Sequence, residues 1–192
     1  MPRVGLNQRT VVREAARLAD EVGADQLTLA ALAHRLGVAL PSLYKHVRGA
    51  DALAQKLSAL ATAELADELT TAAAGRAGGD ALRAVAAAYR TYAHRHPGRY
   101  PATQRVPEPT DPEHVAAGER AVGAIRATLL GYGLDGDDAV DATRMLRSTL
   151  HGFISLEAAG GFGLPRAVDA SFDQLVAALD GAFRSWPRGE HR

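Results

Sequence analysis

The sequence predicts an all-α protein: a three-helix head followed by a larger helical domain. Two observations carry this. Hydrophobic residues make up 47% of the 192, with alanine, the best helix former, dominant among them. The β-branched and aromatic residues never alternate over the five or six positions a strand needs. Aromatics are only 5% of the chain, so packing has to come from Leu, Val and Ala on helices.

The first helix is expected from about Asn7 to Val22, where Val11, Val12, Ala15, Ala16, Ala19 and Val22 recur at helical spacing. Gly23 suits its C-terminal cap. Thr28 offers an N-cap hydroxyl to a second helix whose stripe is Leu29, Leu32, Ala33 and Leu36, ending at Gly37. A third helix carries Pro41 in its first turn, where the missing N–H costs nothing, and ends near Val47. Longer helices follow over Asp51–Ala74, Asp80–His96, Glu113–Leu130, Asp137–Ala159 and Val168–Trp186. Pro97–Pro112 holds five of the nine prolines and reads as a loop with at most a short helix. The expected division is residues 1–50 for the head and 51–192 for the larger domain.

Several functions are excluded or disfavoured. The absence of cysteine rules out disulfides, thiolate metal sites and a cysteine nucleophile. No basic-then-apolar leader and no membrane-length apolar run is present, so a cytoplasmic protein without membrane contact is expected. His94 and His96 lie two apart on a helix and point to different faces, and His114 and His151 sit on other helices, so no metal is expected. The acidic run 135–141 fails the calcium-loop spacing and reads as carboxylates at a helix N-terminus. There is no Gly-x-Ser-x-Gly elbow, and Gly160-Gly161-x-Gly163 follows a helix rather than a strand. No enzyme and no cofactor are expected.

The net charge is zero, but residues 1–50 hold seven Lys/Arg against four acids, while the remainder holds 15 against 18. A basic head on an acidic body suits contact with a polyanion. Three helices in under fifty residues, the last two joined by a tight glycine turn, are the plan of a helix-turn-helix. With Leu43 at the centre of the buried face of the third helix, Val47 lies beside it and Pro41 and Lys45 point away, with Ser42, Tyr44 and His46 on the flanks. That exposed face fits a major groove: Leu40 and Pro41 against thymine methyls, Ser42 at a base or phosphate.

The stretch Leu27-Thr-Leu-Ala-Ala-Leu-Ala-His-Arg-Leu-Gly-Val-Ala-Leu-Pro-Ser-Leu-Tyr-Lys-His-Val47 resembles the DNA-binding domain of the tetracycline-repressor (TetR) family, with its Leu-Thr, its Gly-Val and its Leu-Tyr-x-His before a fourth helix. The resemblance covers roughly residues 7–60. It implies a bacterial one-component regulator, most often a repressor, bound to double-stranded operator DNA through Thr28, Leu40, Pro41, Ser42, Tyr44, Lys45, His46 and Arg48. By this analogy Tyr44 and Lys45 contact phosphates. Thr28 reads either as a cap alone or as a cap whose helix N-terminus also meets a phosphate. Tyr44 reads also as a packing residue, His46 as structural, and Arg3 and Arg9 as either DNA contacts or a solvated arm. Many members place a lysine before the fourth helix; here the chain reads Arg48-Gly49-Ala50, so Arg48 substitutes or the contact is absent.

The resemblance also implies a homodimer through the last two long helices, as a four-helix bundle. Leu146, Leu150 and Phe153 on one helix, and Phe172, Leu175, Val176, Leu179 and Phe183 on the other, are the expected interface. The same spacing is also satisfied by burial within the protein's own domain. Leu150-His-Gly-Phe-Ile-Ser-Leu-Glu157 followed by Gly160-Gly161-Phe162-Gly163 resembles a subgroup of the family with a His-Gly pair. Gly152 inside a helix points to close approach of a neighbouring helix or ligand. A small-molecule pocket is expected among these helices, with candidates Tyr89, Tyr92, His96, Tyr100, Gln104, Met145, Thr149, His151 and Phe153. Two other readings stay open: a C-terminal domain that only dimerises or docks a protein, and an all-α enzyme or carrier with a vestigial head.

Overall fold

A computed structural model describes residues 6–187. Among them there is no strand, and eight α-helices follow in order: α1 Gln8–Val22, α2 Leu29–Leu36, α3 Leu40–Leu43, α4 Ala50–Ala73, α5 Gly78–Arg95, α6 Pro112–Leu130, α7 Gly136–Ala158 and α8 Val168–Arg184. Short 3-10 turns occupy Ala24–Gln26 and Tyr100–Gln104. The all-α expectation holds, and seven of the eight helices begin and end within two residues of the bounds expected from the sequence. α3 differs: it stops at Leu43 rather than near Val47.

The chain packs as two compact units. One comprises Met1–Leu65 with Arg95–Glu119, the other Ala66–His94 with Arg120–Arg192. In the N-terminal unit, local signals set each helix. Asn7 caps α1 by accepting the Thr10 N–H at 2.9 Å, and Thr28 Oγ1 accepts the Ala31 N–H at 3.1 Å. Gly37 closes α2 in the left-handed region (φ 64°, ψ 33°), where a Cβ would be strained. These turns bring Val11, Val12, Ala15, Leu18, Leu32, Ala33, Leu43, Val47 and Leu53 into one core.

A second layer of this unit is polar. Asp20, near the end of α1, accepts from the backbone N–H of Gly98 (3.2 Å) and of Arg99 (2.9 Å) through Oδ1. Its Oδ2 accepts from Arg99 Nε at 2.8 Å and lies 3.1 Å from His96 Nδ1. Arg99 also donates to Glu64 at 2.9 Å. Contact is closest at Gly98, where a Cβ would stand 1.8 Å from the Ala19 carbonyl oxygen. Only glycine fits there.

The C-terminal unit buries Leu69 of α4, Leu82, Val85, Tyr89 and Tyr92 of α5, Ile125 and Leu129 of α6, Leu146, Leu150 and Ile154 of α7, and Phe172, Val176, Leu179 and Phe183 of α8. Arg90 of α5 ties three helices together. It pairs with Glu157 of α7 and with Asp169 of α8 (2.8 Å), and its guanidinium sits 4.8 Å from the Phe172 ring centroid. The Arg90 hydrogen bonds hold the Glu157 carboxyl below its usual range, against the opposing effect of burial.

Of the residues expected at the interface, Leu146, Leu150, Phe172, Val176, Leu179 and Phe183 are buried within the chain itself. Leu175 and Phe153 are half-buried, and Phe153 packs against Phe162 (ring centroids 4.7 Å apart) and Phe172 (5.3 Å). The three-four periodicity identified an apolar face correctly, but the protein's own core covers it. Exposed positions include Arg144, Met145, Arg147, Ser148, Ser155 and Leu156 on α7 and Gln174, Ala177, Ala178 and Gly181 on α8, with Gly152 half-buried.

Candidate nucleic-acid interface

α3 presents the candidate DNA-reading residues because its ends are pinned from behind. Leu43 and Val47 are 0% and 2% exposed in the head core. The Leu43 carbonyl accepts both the His46 N–H (2.8 Å) and the Val47 N–H (2.9 Å), so after Leu43 the chain turns tightly instead of extending the helix. Gln8 Nε2 donates to the His46 carbonyl at 3.1 Å, fastening that turn to the start of α1. Gln8 has no sequence signal of its own, because its partner lies 38 residues away.

What this scaffold leaves outside is a short surface of Leu40, Pro41, Tyr44, Lys45 and Arg48, all exposed, with Ser42 and His46 half-buried at its flanks. Tyr44 is 51% exposed, so its packing role is small and its hydroxyl is available. Thr28 is exposed at the start of α2; its oxygen accepts the capping N–H, and its own O–H can still donate outward. The eight candidates thus fall on α3, its following turn and the start of α2, with none in the head core. Arg9 is exposed on the first turn of α1. Arg3 lies outside the described residues.

The charges divide to match. Glu14 pairs with Arg17 and Arg35, Glu21 with Arg35, and Asp20 with Arg99. Among the described residues neither Lys45 nor Arg48 has an acidic partner, while Glu14, Asp20 and Glu21 are paired elsewhere. A groove of about 760 Å³ runs beside that turn, lined by Lys45, His46 and Arg48 together with Asp51, Glu108 and Asp111.

The pocket candidates divide between the units. His96, Tyr100 and Gln104 belong to the N-terminal one; His96 is engaged at Asp20, Tyr100 is buried, and Gln104 donates to Thr103 Oγ1 at 2.8 Å. The other six belong to the C-terminal unit. There Tyr89 and Tyr92 are buried on α5, while Thr149, His151 and Phe153 are half-buried on α7. Met145 points outward (37% exposed), because its neighbour Leu146 takes the inward position. A groove of about 600 Å³ in this unit is lined by Arg83, Arg90, Thr91, His94, Phe172 and Asp180 and by none of the nine.

One buried constellation has no counterpart in the expected site. Ser58 of α4 donates to the Ala102 carbonyl at 2.7 Å and lies 2.9 Å from Nε2 of His114 on α6. Both side chains are 0% exposed, and burial pushes the His114 imidazole below its usual range, leaving it neutral. The partners are 56 residues apart, beyond any local pattern. Among the described residues no group of three or more His, Cys, Asp or Glu is placed to hold a metal ion, and no helix is long and apolar enough to cross a membrane.

Residues 82–179 match the family described as "Tetracyclin repressor-like, C-terminal domain". The HTH-type transcriptional regulator Rv0681 of Mycobacterium tuberculosis is 42% identical over 175 residues, which is 91% of this chain and 80% of that one. The chain belongs to the tetracycline-repressor family. A second relative, the HTH-type transcriptional regulator YobS of Bacillus subtilis, is 35% identical over 84% of both chains. Among solved structures, TetR-Q116A from Acinetobacter baumannii in complex with minocycline aligns over 96% of this chain and 100% of that one, with a TM-score of 0.74 and 26% identity. The protein is therefore a TetR-family helix-turn-helix transcriptional regulator, as its Leu27–Val47 stretch implied.

Proposed function

We propose that this TetR-family regulator is a repressor that binds a pseudo-palindromic operator as a homodimer and is released from it by a small molecule. The observation that carries the DNA reading is the exposed turn of Tyr44, Lys45 and Arg48, whose cations have no acidic partner among the described residues and which is held rigid through Leu43, Val47 and Gln8. In this reading Lys45, Tyr44, Arg48 and Thr28 engage phosphates and set the register, while Leu40, Pro41 and Ser42 face base edges. His46 positions the turn through its backbone carbonyl.

The homodimer is supported by two glycines. Gly152 and Gly181 lie inside α7 and α8, where each costs about 1 kcal/mol against alanine. A Cβ at either would meet nothing within 4 Å in the protomer. Nothing inside the chain requires their small size, whereas a close helix–helix contact with a second copy does. A two-fold axis also presents two α3 turns to successive grooves of one DNA face. Release requires an effector that binds the operator-competent and incompetent conformers with different affinity. The minocycline complex of the A. baumannii relative supports a ligand-bearing C-terminal region here.

The test is fluorescence anisotropy on DNA from upstream of the protein's own gene, against scrambled DNA, across a salt series. Specific binding should exceed the control by roughly 10³-fold or more. Lys45→Ala should weaken both and lower the log–log salt slope by about 0.9, one phosphate's share. Equal affinity for both DNAs, followed by a library selection that yields no palindrome, sinks the proposal.

A further inference from the structure

The Ser58–His114 pair leaves polar atoms of the N-terminal unit without partners. Ser58 spends its proton on the Ala102 carbonyl, so it can only accept from His114 Nε2–H. That fixes the tautomer and leaves Nδ1 as a bare acceptor, buried and without a hydrogen-bond partner. One turn along α4 from Ser58, the Thr62 hydroxyl is 6% exposed and equally unpartnered. Buried polar atoms are almost always satisfied. Two orphans within a helical turn of one hydrogen-bonded pair mark a place prepared for something else.

The surroundings restrict what it is. Leu57, Ala61 and Leu65 of α4, Tyr100 of the 3-10 turn and Ala117 of α6, close in sequence to these residues or to the Ala102 carbonyl, are buried. The charged groups nearest His114 are already matched: Lys56 with Asp111 at 2.9 Å, Arg105 with Asp51. The two cations nearest His114 are therefore already engaged by carboxylates. An acceptor group brought to Nδ1 would set lone pair against lone pair; a donor completes it.

Resting on the ligand-released reading above, we propose that Ser58, Thr62 and His114 are the polar anchor of the effector site, and that the effector is an uncharged, largely apolar molecule presenting an O–H or N–H donor, of the phenol type. His114 Nδ1 accepts that proton donor, Thr62 supplies the second hydrogen bond, and Ser58 acts as a positioning residue by holding the tautomer.

The test titrates the full-length protein calorimetrically with phenol against anisole and with 2-naphthol against 2-methoxynaphthalene. In at least one pair the donor-bearing member should bind about tenfold or more tighter than its methyl ether, because only it completes the orphaned atoms. Thr62→Val and His114→Phe should each bring that ratio to about one, with operator affinity unchanged in the absence of probe. Ser58→Ala keeps both orphaned atoms but frees the imidazole to change tautomer, and should lower the ratio without abolishing binding. The proposal is overturned by equal affinities within both pairs, by no saturable binding of either phenol, or by a ratio that survives Thr62→Val. Any of these alongside specific operator binding removes the anchor and leaves the regulator standing. Loss of specific operator binding by the unmodified protein removes the regulator reading itself.

Discussion

Asp20 is the residue whose removal the structure prices most clearly. It is 15% exposed and holds Arg99, itself 10% exposed, by two guanidinium contacts at 2.8 Å, while its other oxygen satisfies two backbone N–H groups. Asp20→Ala strips the guanidinium of one of its two carboxylates and leaves both N–H groups without a partner. Breaking a buried ion pair from one side costs about 3–5 kcal/mol. Glu64 still neutralises Arg99, which argues for the lower end, about 3 kcal/mol. Asp20→Asn keeps an oxygen for the Gly98 and Arg99 amides but turns an NH₂ toward the Arg99 donors, so about 2 kcal/mol is expected. Urea unfolding followed by far-UV circular dichroism gives the total. Amide exchange over Gln8–Val22 shows whether α1 is the element that loosens. A loss under 1 kcal/mol for Asp20→Ala, or an Asn variant as damaging as the Ala one, would refute the reasoning that the carboxylate organises this corner.

Three further outcomes follow from the same geometry. Gly98→Ala drives a Cβ into the Ala19 carbonyl and should destabilise by about 3 kcal/mol or prevent folding, read as the urea midpoint of the purified variant. Gly181→Leu should convert dimer to monomer in sedimentation with unchanged helicity; Gly181→Leu that stays dimeric removes the close-contact argument. Stability should fall as pH drops below the ordinary imidazole value of about 6.5, because burial keeps His114 and His151 neutral in the fold while the unfolded chain takes up protons. A second fall is expected below about 4.5, where the unfolded chain protonates the carboxyl that Arg90 keeps ionised as Glu157. Thermal melts at stepped pH check both, and His114→Phe should flatten the first.

What was legible in the sequence was what local chemistry decides. Thr28 and Gly37 bracket α2 because a cap hydroxyl and a left-handed glycine act on the backbone within three residues of themselves. The exposed set on α3 followed from a hundred-degree step around Leu43. The helical step anticipated the burial of Val47 beside Leu43 but not the end of α3 at Leu43, because a tight turn over residues 44–46 brings Val47 to the same side. The expected dimer face was ambiguous for a different reason. Periodicity says that Leu146, Leu150, Val176 and Leu179 share an apolar side, but not which surface covers it, and the protomer's own helices do. The polar network was invisible because it is non-local: Asp20 and Arg99 are 79 residues apart, Ser58 and His114 are 56.

Those two long-range contacts meet on one segment. Residues 96–99 are bonded to Asp20 at the end of α1, and three residues later the Ala102 carbonyl accepts from Ser58, which faces His114. The 3-10 turn Tyr100–Gln104 between them is stiffened by Thr103, whose hydroxyl donates to the Tyr100 carbonyl at 2.7 Å. A ligand that reorders the Ser58–His114 pair therefore pulls on a short, internally bonded strap whose other end grips the helix that carries Gln8. Gln8 in turn fastens the turn bearing Lys45. Adjacency alone is not coupling. The strap transmits only if its two anchorages are energetically linked, which makes the discriminating quantity the interaction term between Asp20→Asn and Ser58→Ala in operator affinity with and without phenol. A term that appears only with the probe present assigns the strap to regulation, and a term of zero in both conditions reduces it to two independent contacts that stabilise the fold.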